Sequence, residues 1–207
     1  MTTVIDVAPP PIVQICREHV TPGREADFRA IEEDAARICA ELNCPNSHLA
    51  MESVTRPIEV WWITPYESDA DRERVAMGYA DNPALMAALG GIATRKQGVT
   101  APPLDVVARL NSEASSGPAW TIAGARFFVA MATARDAAVL ASVYESPEGG
   151  RLMLRPVSDP DEGAALTQAW GPDARLFAVR PYWGMPAAEW IAADREFWNV
   201  NPAARRR

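Results

Sequence analysis

The sequence predicts an α+β protein made of two related units in tandem, and three observations support that prediction. First, an apolar, β-branched and aromatic run over 58–65 is followed by Ser68, which stands three residues before Asp71, the spacing of a capping box at a helix start. Second, this strand–turn–helix pattern recurs 91 residues further on, where Asp159 takes the place of the capping serine. Third, the serines, glycine and proline of 111–119 predict a linker between the two copies.

The composition is that of an ordinary globular chain and excludes several classes of partner. With 207 residues, 48% of them apolar and 23% charged, the chain is long enough for one domain or two small ones. A net charge of −7 argues against nucleic acid or an anionic membrane as a partner, because both require a basic surface. No apolar run reaches the roughly 18 residues of a membrane span, and residues 1–11 lack the apolar core of a signal peptide, so we expect a cytoplasmic protein.

The first unit begins with a strand and an amphipathic helix. Residues 12–20 alternate in polarity, which places apolar side chains on one face of a strand and polar ones on the other: Val13 and Ile15 against Gln14, Cys16 and Glu18. Thr21 and Pro22 predict the helix start, with threonine as the N-cap and proline in the first turn. The helix carries one apolar stripe, and the glutamates and arginines between its members are predicted to face water. The stripe is formed by Phe28, Ile31, Ala35, Ile38 and Leu42.

Three further strands and two helices complete the first unit. Residues 47–55 alternate as a second strand, and the apolar run that ends before Ser68 is the third. Ser68 begins one helix, and Asn82, followed by a proline, begins the next. Residues 104–110 then alternate as a fourth strand. The predicted order over 12–110 is β-α-β-β-α-β.

That order, with Val20-Thr-Pro-Gly23 leading into the first helix and Phe28 after it, resembles the ferredoxin-like unit of the dimeric α+β-barrel superfamily, including antibiotic-biosynthesis-monooxygenase-like proteins. The resemblance implies that two units, from two chains or from one duplicated chain, pack their sheets into a barrel, with the ligand between sheet and helices. Members include cofactor-independent oxygenases, haem-degrading enzymes, isomerases and proteins of no known activity. Haem-binding members typically carry an axial histidine on a helix, and neither His19 nor His48 lies on a predicted helix, so no cofactor is expected. The resemblance leaves open whether the protein forms a homodimer.

The second half, 120–198, is predicted to be a degenerate repeat of the first unit. Strands are predicted over 124–133, 139–145, 151–157 and 174–183, with a hairpin loop at 147–150 and a helix over 160–170. The first two of these strands are separated by too few residues for a parallel crossover, so they are predicted to pair as an antiparallel hairpin. The counterpart of the first helix is then missing, and a helix starting at Pro186 is predicted to cover the sheet face left open. We expect 1–11 to be a disordered or extended arm and 199–207 to be a tail.

Taken together, the two copies predict one candidate site on one face of the sheets. Positions two apart on a strand share a face, and the apolar face is expected to meet the helices through Leu49, Met51, Leu140, Leu152 and Leu154. The opposite face is predicted to line a cavity, with His48 and Glu52 as catalytic residues and with Cys16, Glu18, Trp62, Met153 and Arg155 as substrate-binding residues. His48 and Glu52 are about 13 Å apart along their strand, so an acid–base pair has to be completed by another strand.

Structural explanations compete with this site. A single strand histidine such as His48 is more often solvated or capping than catalytic, and Glu52 and Arg155 could simply be an ion pair that satisfies the barrel interior. Cys16, Cys39 and Cys44 fit neither a disulfide nor a zinc pattern and are expected to be free, buried thiols. Two histidines without metal-ligand spacing predict no metal site, and no nucleotide-binding or serine-hydrolase motif occurs.

Two classes of function follow from the sequence. The first is a small-molecule enzyme of the oxygenase or isomerase type, in which an apolar pocket holds an organic substrate and His48 with a carboxylate moves a proton. The second is a non-catalytic ligand-binding or self-association module whose polar sheet face is only structural. A void enclosed by that face favours the first class, and a face filled by side chains favours the second.

Overall fold

The structure is a computed structural model that describes residues 9–116, 124–133, 140–157 and 159–201. Within these ranges it has eight strands and six helices. In chain order they are β1 (Ile12–His19), α1 (Glu25–Glu41), β2 (Leu49–Ser53), β3 (Glu59–Tyr66), α2 (Asp69–Ala80), α3 (Pro83–Arg95), β4 (Leu104–Leu110), β5 (Phe127–Thr133), β6 (Ser142–Glu145), β7 (Arg151–Val157), α4 (Pro160–Trp170), β8 (Ala174–Val179), α5 (Ala188–Ala193) and α6 (Arg195–Trp198). None of these helices has the length and apolar character that crossing a bilayer requires.

The eight strands form one closed antiparallel barrel in the order β1-β3-β2-β8-β5-β7-β6-β4. The first half contributes β4-β1-β3-β2 and the second half β8-β5-β7-β6, so in each half the fourth strand comes first, then the first, third and second. A shift of 91 residues likewise carries β3 and α2 onto β7 and α4. The α+β prediction is confirmed as a closed barrel with helices around it. The duplication and the division at 111–119 stay predictions.

The interior of the barrel is filled with apolar side chains. One buried cluster takes residues from all eight strands, and only the inner surface of a closed barrel brings all eight together. Among its fully buried members are Trp61, Phe128, Phe177 and Tyr144. In the part of the chain that the structure describes, the inside of the barrel is therefore a packed core.

This packing reverses the predicted faces of the sheet. Leu49, Met51, Leu152 and Leu154 are predicted to meet helices, but they belong to the interior cluster, and Leu140 is 58% exposed. Alternation along a strand separates two faces without saying which of them becomes concave when the sheet closes. Because helices cover the outside of this barrel, both faces carry apolar residues and the pattern cannot tell them apart.

The helices cover the outer face of the barrel. α1 and α3 pack on the first half, where Phe28, Ile31 and Ile92 share a buried cluster with Val60. α4 covers the second half, where Leu166 and Trp170 pack against a separate buried apolar cluster. The outer face of the first half is therefore enclosed between strands and helices, which is where buried polar groups can be held.

The C-terminal helices close one end of the barrel. The helix predicted from Pro186 is split at Asp194 into α5 and α6. Trp190 and Trp198 join the interior cluster, with ring centroids 5.7 Å apart. Asp194 also accepts a hydrogen bond from Arg126, just before β5. The segment thus closes the barrel from its end instead of lying flat on an outer sheet face.

The helix-capping predictions hold at three of four positions. The side chains of Ser68, Asn82 and Asp159 accept hydrogen bonds from backbone N–H groups in the first turns of α2, α3 and α4. The prediction that Thr21 caps α1 is wrong. The carbonyl of Thr21 accepts a hydrogen bond from the Arg24 N–H in a turn that uses a positive φ at Gly23, and this turn delays the helix to Glu25.

The antiparallel hairpin predicted for the first two strands of the second half is also wrong. β7 lies between β5 and β6 and pairs with both, so those two strands run parallel to each other. Eight residues, 134–141, connect them, and an extended chain of that length reaches up to about 26 Å. A helical crossover is therefore not needed. Residues 134–139 lie outside the described ranges.

Candidate functional site

Three of the predicted substrate-binding residues meet on the outer face of the first half. Cys16 and Glu18 alternate with the interior residues of β1, and Cys16 lies opposite Trp62 in the β1–β3 register. The indole Nε1 of Trp62 donates a 2.8 Å hydrogen bond to Oε2 of Glu18. These side chains lie beneath α1 and α3, so the predicted polar face is a layer between strands and helices.

Lys96 joins this layer and forms what we call the carboxylate–lysine triad, Glu18, Glu32 and Lys96. Its Nζ donates to both carboxylate oxygens of Glu18, at 2.9 and 2.8 Å. The same Nζ lies 2.5 Å from Oε1 of Glu32 on α1, as a close ion pair without the alignment of a full hydrogen bond. Lys96 is the C-cap residue of α3, where the helix dipole favours a cation. The aromatic rings of Phe28 and Trp62 each have their centroid 5.5 Å from Nζ.

Burial sets the ionisation of the triad. It raises the pKa of Glu32 to about 7, against the pull of the Lys96 ammonium, because the carboxyl is 2% exposed and Glu18 adds a second negative charge. Burial also works against the charge on Lys96, but Glu32 and Glu18 outweigh it and hold the pKa of the ammonium above its ordinary value. At neutral pH the triad therefore combines a fixed cation with a carboxyl that is about half protonated.

Burial likewise controls Cys16, the thiol next to the triad. Together with the negative charge of Asp105, it raises the pKa of Cys16 to about 12. This thiol stays protonated at neutral pH, and a thiol is a weak nucleophile compared with a thiolate. Cys16 therefore supplies no reactive nucleophile beside the triad.

A pocket opens beside the triad, and we call it the α3 pocket. It has a volume of about 520 Å³ and lies between the second half of α3, residues 97–98 and 100–103 of the following loop, and Glu18. Leu89, Ile92 and Ala93 supply apolar wall, and Glu18 and Lys96 supply the polar floor. That volume is in the range of small-molecule sites, and a few convergent polar groups in an apolar wall are typical of them.

The arrangement can bind an organic molecule and move a proton, and it offers little to a metal. Glu18 and Lys96, the charged residues of the floor, form an ion pair, and Lys96 also engages Glu32 behind it. Within the described ranges, no three His, Cys, Asp or Glu side chains converge as metal ligands would. The ammonium can stabilise an oxygen that gains negative charge, and a carboxylate can accept a proton.

The predicted catalytic residues His48 and Glu52 lie next to this layer but do not meet. The His48 ring packs edge-on against Trp62, with centroids 5.8 Å apart, and its backbone pairs with Met185. Burial lowers the pKa of His48 to about 4, so the imidazole is neutral at physiological pH. Glu52 is held by Arg29 and Arg180, at 2.9 and 2.7 Å. The structure gives Glu52 two cations of its own and places neither residue in the lining of the α3 pocket.

Arg155 and Met153 are not brought to the same place. Both lie on β7, and β8 and β5 stand between β7 and β2, which is about 14 Å at ordinary strand spacing. Met153 is buried in the apolar cluster under α4, and Arg155 donates to the carbonyl of Leu140. The predicted face therefore separates into a polar region in the first half and an apolar one in the second.

Sequence reasoning missed the two residues that complete the triad. Glu32 lies among glutamates predicted to face water, and its burial depends on which part of α1 faces α3. Lys96 does leave a signal in the sequence, because it is the single lysine of a chain with 19 arginines. The compact ammonium fits between two carboxylates where the larger planar guanidinium would not fit as well. The single lysine is therefore the signal in the sequence that points to the triad.

Comparisons with known proteins give matches to solved structures at low identity. No family model matches the chain, and no curated protein matches it. Among solved structures, a protein provisionally named a monooxygenase from Fusobacterium nucleatum subsp. nucleatum has 8% identity and a TM-score of 0.48, covering 87% of this chain and 94% of its own. A protein provisionally named a monooxygenase from Lactobacillus acidophilus NCFM has 7% identity and a TM-score of 0.45, covering 83% and 94%. A protein provisionally named a chlorite dismutase has 8% identity and a TM-score of 0.44, covering 83% and 95%. None of these similarities assigns a family or an activity, so the chemistry has to be inferred from the side chains of the site.

Proposed function

We propose that the protein binds a small organic molecule in the α3 pocket and that the carboxylate–lysine triad moves a proton on that molecule. The observation that carries the proposal is the position of the only lysine: Lys96 contacts Glu18 at the pocket floor and, behind it, the half-protonated Glu32. A carboxyl with a pKa of about 7 is suited to giving or taking a proton at neutral pH. The reaction class is isomerase-like, or the proton abstraction that begins a cofactor-independent monooxygenase reaction.

The substrate class follows from the walls and the floor. The apolar wall suits an aromatic or alicyclic body, and the ammonium of the floor, which already engages two carboxylates, offers little attraction to an anion. A carbonyl compound with an acidic C–H fits both groups at the floor. Glu18 takes the proton, and the Lys96 ammonium stabilises the enolate oxygen that develops as the proton leaves. Glu32, which contacts Lys96, can gain or lose a proton as the charge of the triad changes.

Binding is tested first, with a set of neutral and cationic aromatic ketones and cyclic diketones followed by ligand-observed NMR. Ala93 is exposed and lines the pocket, so Ala93→Trp fills the pocket without disturbing the core. Ala87→Trp is the matched control, because Ala87 is an exposed residue of α3 outside the pocket lining. We expect binding to the wild type and to Ala87→Trp, and its loss in Ala93→Trp. Binding that survives Ala93→Trp would place the ligand elsewhere and reject the pocket.

Proton transfer is tested by hydrogen–deuterium exchange at the acidic C–H of the bound ketones, read by ¹H NMR in D₂O. We expect Glu18→Gln to slow enzyme-dependent exchange by about 10²–10⁴, the usual contribution of a positioned acid or base, while binding persists. Glu33→Gln is the control, because Glu33 is an exposed carboxylate of α1. If bound ketones exchange no faster than free ones, the catalytic proposal fails.

The second candidate is a non-catalytic ligand-binding or self-association module. It is favoured by the saturation of Lys96, whose ammonium already contacts Glu18 and Glu32, as in a purely structural ion cluster. Ligand binding without hydrogen–deuterium exchange supports a non-catalytic ligand-binding module. Self-association would appear in light scattering as a molar mass that rises with protein concentration. If that rise is lost in Ala93→Trp, the α3 pocket lies in the contact between chains.

A further inference from the structure

A second group of reactive side chains lies at the C-terminal end of α1, away from the triad. The helix ends in a Schellman-type turn: Asn43 has φ 57°, and the N–H of Cys44 donates to the carbonyl of Cys39 at 2.9 Å. In that turn a contact between the side chains at these two positions is common. Here both are cysteines, and they pack in one small cluster with Met185 and Leu89. The backbone turn therefore brings two thiols together.

Polar groups surround Cys44 on the other side. The hydroxyl of Tyr79 lies 3.0 Å from the Cys44 sulfur, and the thiol donates to Oδ1 of Asn46 at 3.1 Å. Asn46 is held in turn by the Tyr79 hydroxyl at 2.7 Å and by donating to Thr64 at 3.1 Å. Cys44 is partly exposed and Cys39 is buried, so the thiol with the polar partners is the one that a reagent in water can reach.

These contacts favour the thiolate at Cys44 and the thiol at Cys39. A hydrogen bond from the Cys39 thiol lowers the pKa of Cys44 to about 7 against the effect of burial. The Asn46 backbone N–H adds to this, as does the Tyr79 hydroxyl when its proton turns from Asn46 to the sulfur. The same thiol–thiol hydrogen bond, together with burial, raises the pKa of Cys39. One thiolate nucleophile beside one protonated thiol is the arrangement that peroxide-reactive cysteine pairs need.

We propose that Cys39 and Cys44 form a redox-active dithiol, in which Cys44 is oxidised by hydroperoxides and Cys39 then closes a disulfide with it. In the first step the Cys44 thiolate attacks the outer oxygen of the peroxide, the O–O bond breaks, and the departing alkoxide or hydroxide takes a proton. The sulfur loses two electrons to the peroxide and becomes a sulfenic acid. In the second step the Cys39 sulfur attacks Cys44, the S–S bond forms, and the sulfenic oxygen leaves as water with the Cys39 proton.

The products are tested with hydrogen peroxide on the full chain, using mass spectrometry of peptides and dimedone as the probe for sulfenic acid. We expect an internal Cys39–Cys44 disulfide in the wild type, and a dimedone adduct on Cys44 in Cys39→Ser, where no resolving thiol is left. Cys16→Ser is the matched control and should behave as the wild type, because Cys16 is a protonated thiol outside the dithiol. Oxidation that starts at Cys16 or Cys39, or a disulfide between chains in place of the internal one, would overturn the proposal.

The activation of Cys44 is tested separately by alkylation with iodoacetamide as a function of pH. We expect the rate at Cys44 to rise with a midpoint near pH 7, as its thiolate forms. Tyr79→Phe keeps the ring and removes the hydroxyl, and it should slow alkylation at neutral pH several-fold, up to roughly tenfold, with the midpoint moved upward. If that variant does not fold, the wild-type profile decides alone. A Cys44 midpoint at or above the ordinary thiol value of 9.0 would refute the inference.

Discussion

Glu32 links the candidate site to the stability of the whole fold, and replacing it with glutamine should show this. The folded-state pKa of Glu32 is about 7, against an ordinary value of 4.5, so folding favours the protonated form. Stability from this carboxyl is complete below about pH 4.5 and is lost as the pH rises through about 7. The difference between the two pKa values corresponds to about 3 kcal/mol at a pH above both.

We therefore expect Glu32→Gln to lie within about 1 kcal/mol of the wild type at about pH 5 and to be more stable than it, by up to about 3 kcal/mol, at about pH 8. The substituted glutamine keeps the size of the side chain and an oxygen for Lys96, and it carries no charge to bury. Urea unfolding followed by tryptophan fluorescence measures the free energy at each pH. Glu33→Gln removes the same charge from an exposed neighbour on α1 and should show no such pH dependence.

If the advantage of Glu32→Gln does not grow between about pH 5 and about pH 8, burial does not dominate the ionisation of Glu32. If the variant is less stable than the wild type at the higher pH, the ion pair with Lys96 outweighs burial. Glu32 would then be ionised at neutral pH and could not supply a proton in the proposed mechanism.

Two further predictions concern His48 and the tryptophan-lined end of the barrel. Because it is buried, the His48 imidazole should titrate by NMR near pH 4. The stability that it contributes is complete above about pH 6.5 and is lost, by at most about 3 kcal/mol, as the pH falls toward 4. His19→Gln assigns the NMR signal, and a midpoint near pH 6.5 would contradict the burial argument. Trp198→Ala should cost about 3–5 kcal/mol in urea unfolding, because the side chain is fully buried against the barrel interior. Val200→Ala, at an exposed neighbour, should stay within about 0.5 kcal/mol, and equal effects of the two variants would show that the end closure is not structural.

Local patterns in the sequence predict much of the secondary structure. The bounds of β4, β7 and α4 agree with the prediction, because each has an alternating or capped pattern that nearby residues determine. The failures are cases where distant residues decide. Thr21 carries the right side chain for a cap, but the turn at Gly23 starts the helix later.

The candidate site was predictable only in part, for the same reason. Cys16, Glu18 and Trp62 share one face of neighbouring strands, and alternation places them together once the register of β1 and β3 is set. Glu32 and Lys96 come from two helices, and their meeting depends on how those helices pack across the sheet. His48 and Glu52 stand on one strand, which by itself supplies neither with a partner.

The closed barrel has consequences for how the molecule opens. The two halves are joined along two short seams, where Arg109 and Leu110 face Glu145 and Tyr144, and where Met51–Ser53 face Phe177–Val179. The apolar interior that all eight strands share also joins the halves, and the covalent connection keeps each half at a high local concentration for the other. Within each half the pairing is much longer, as between β1 and β3. Strain applied to the barrel should therefore part it along the seams first and leave the two four-stranded sheets intact, with the layer under α1 and α3 still assembled.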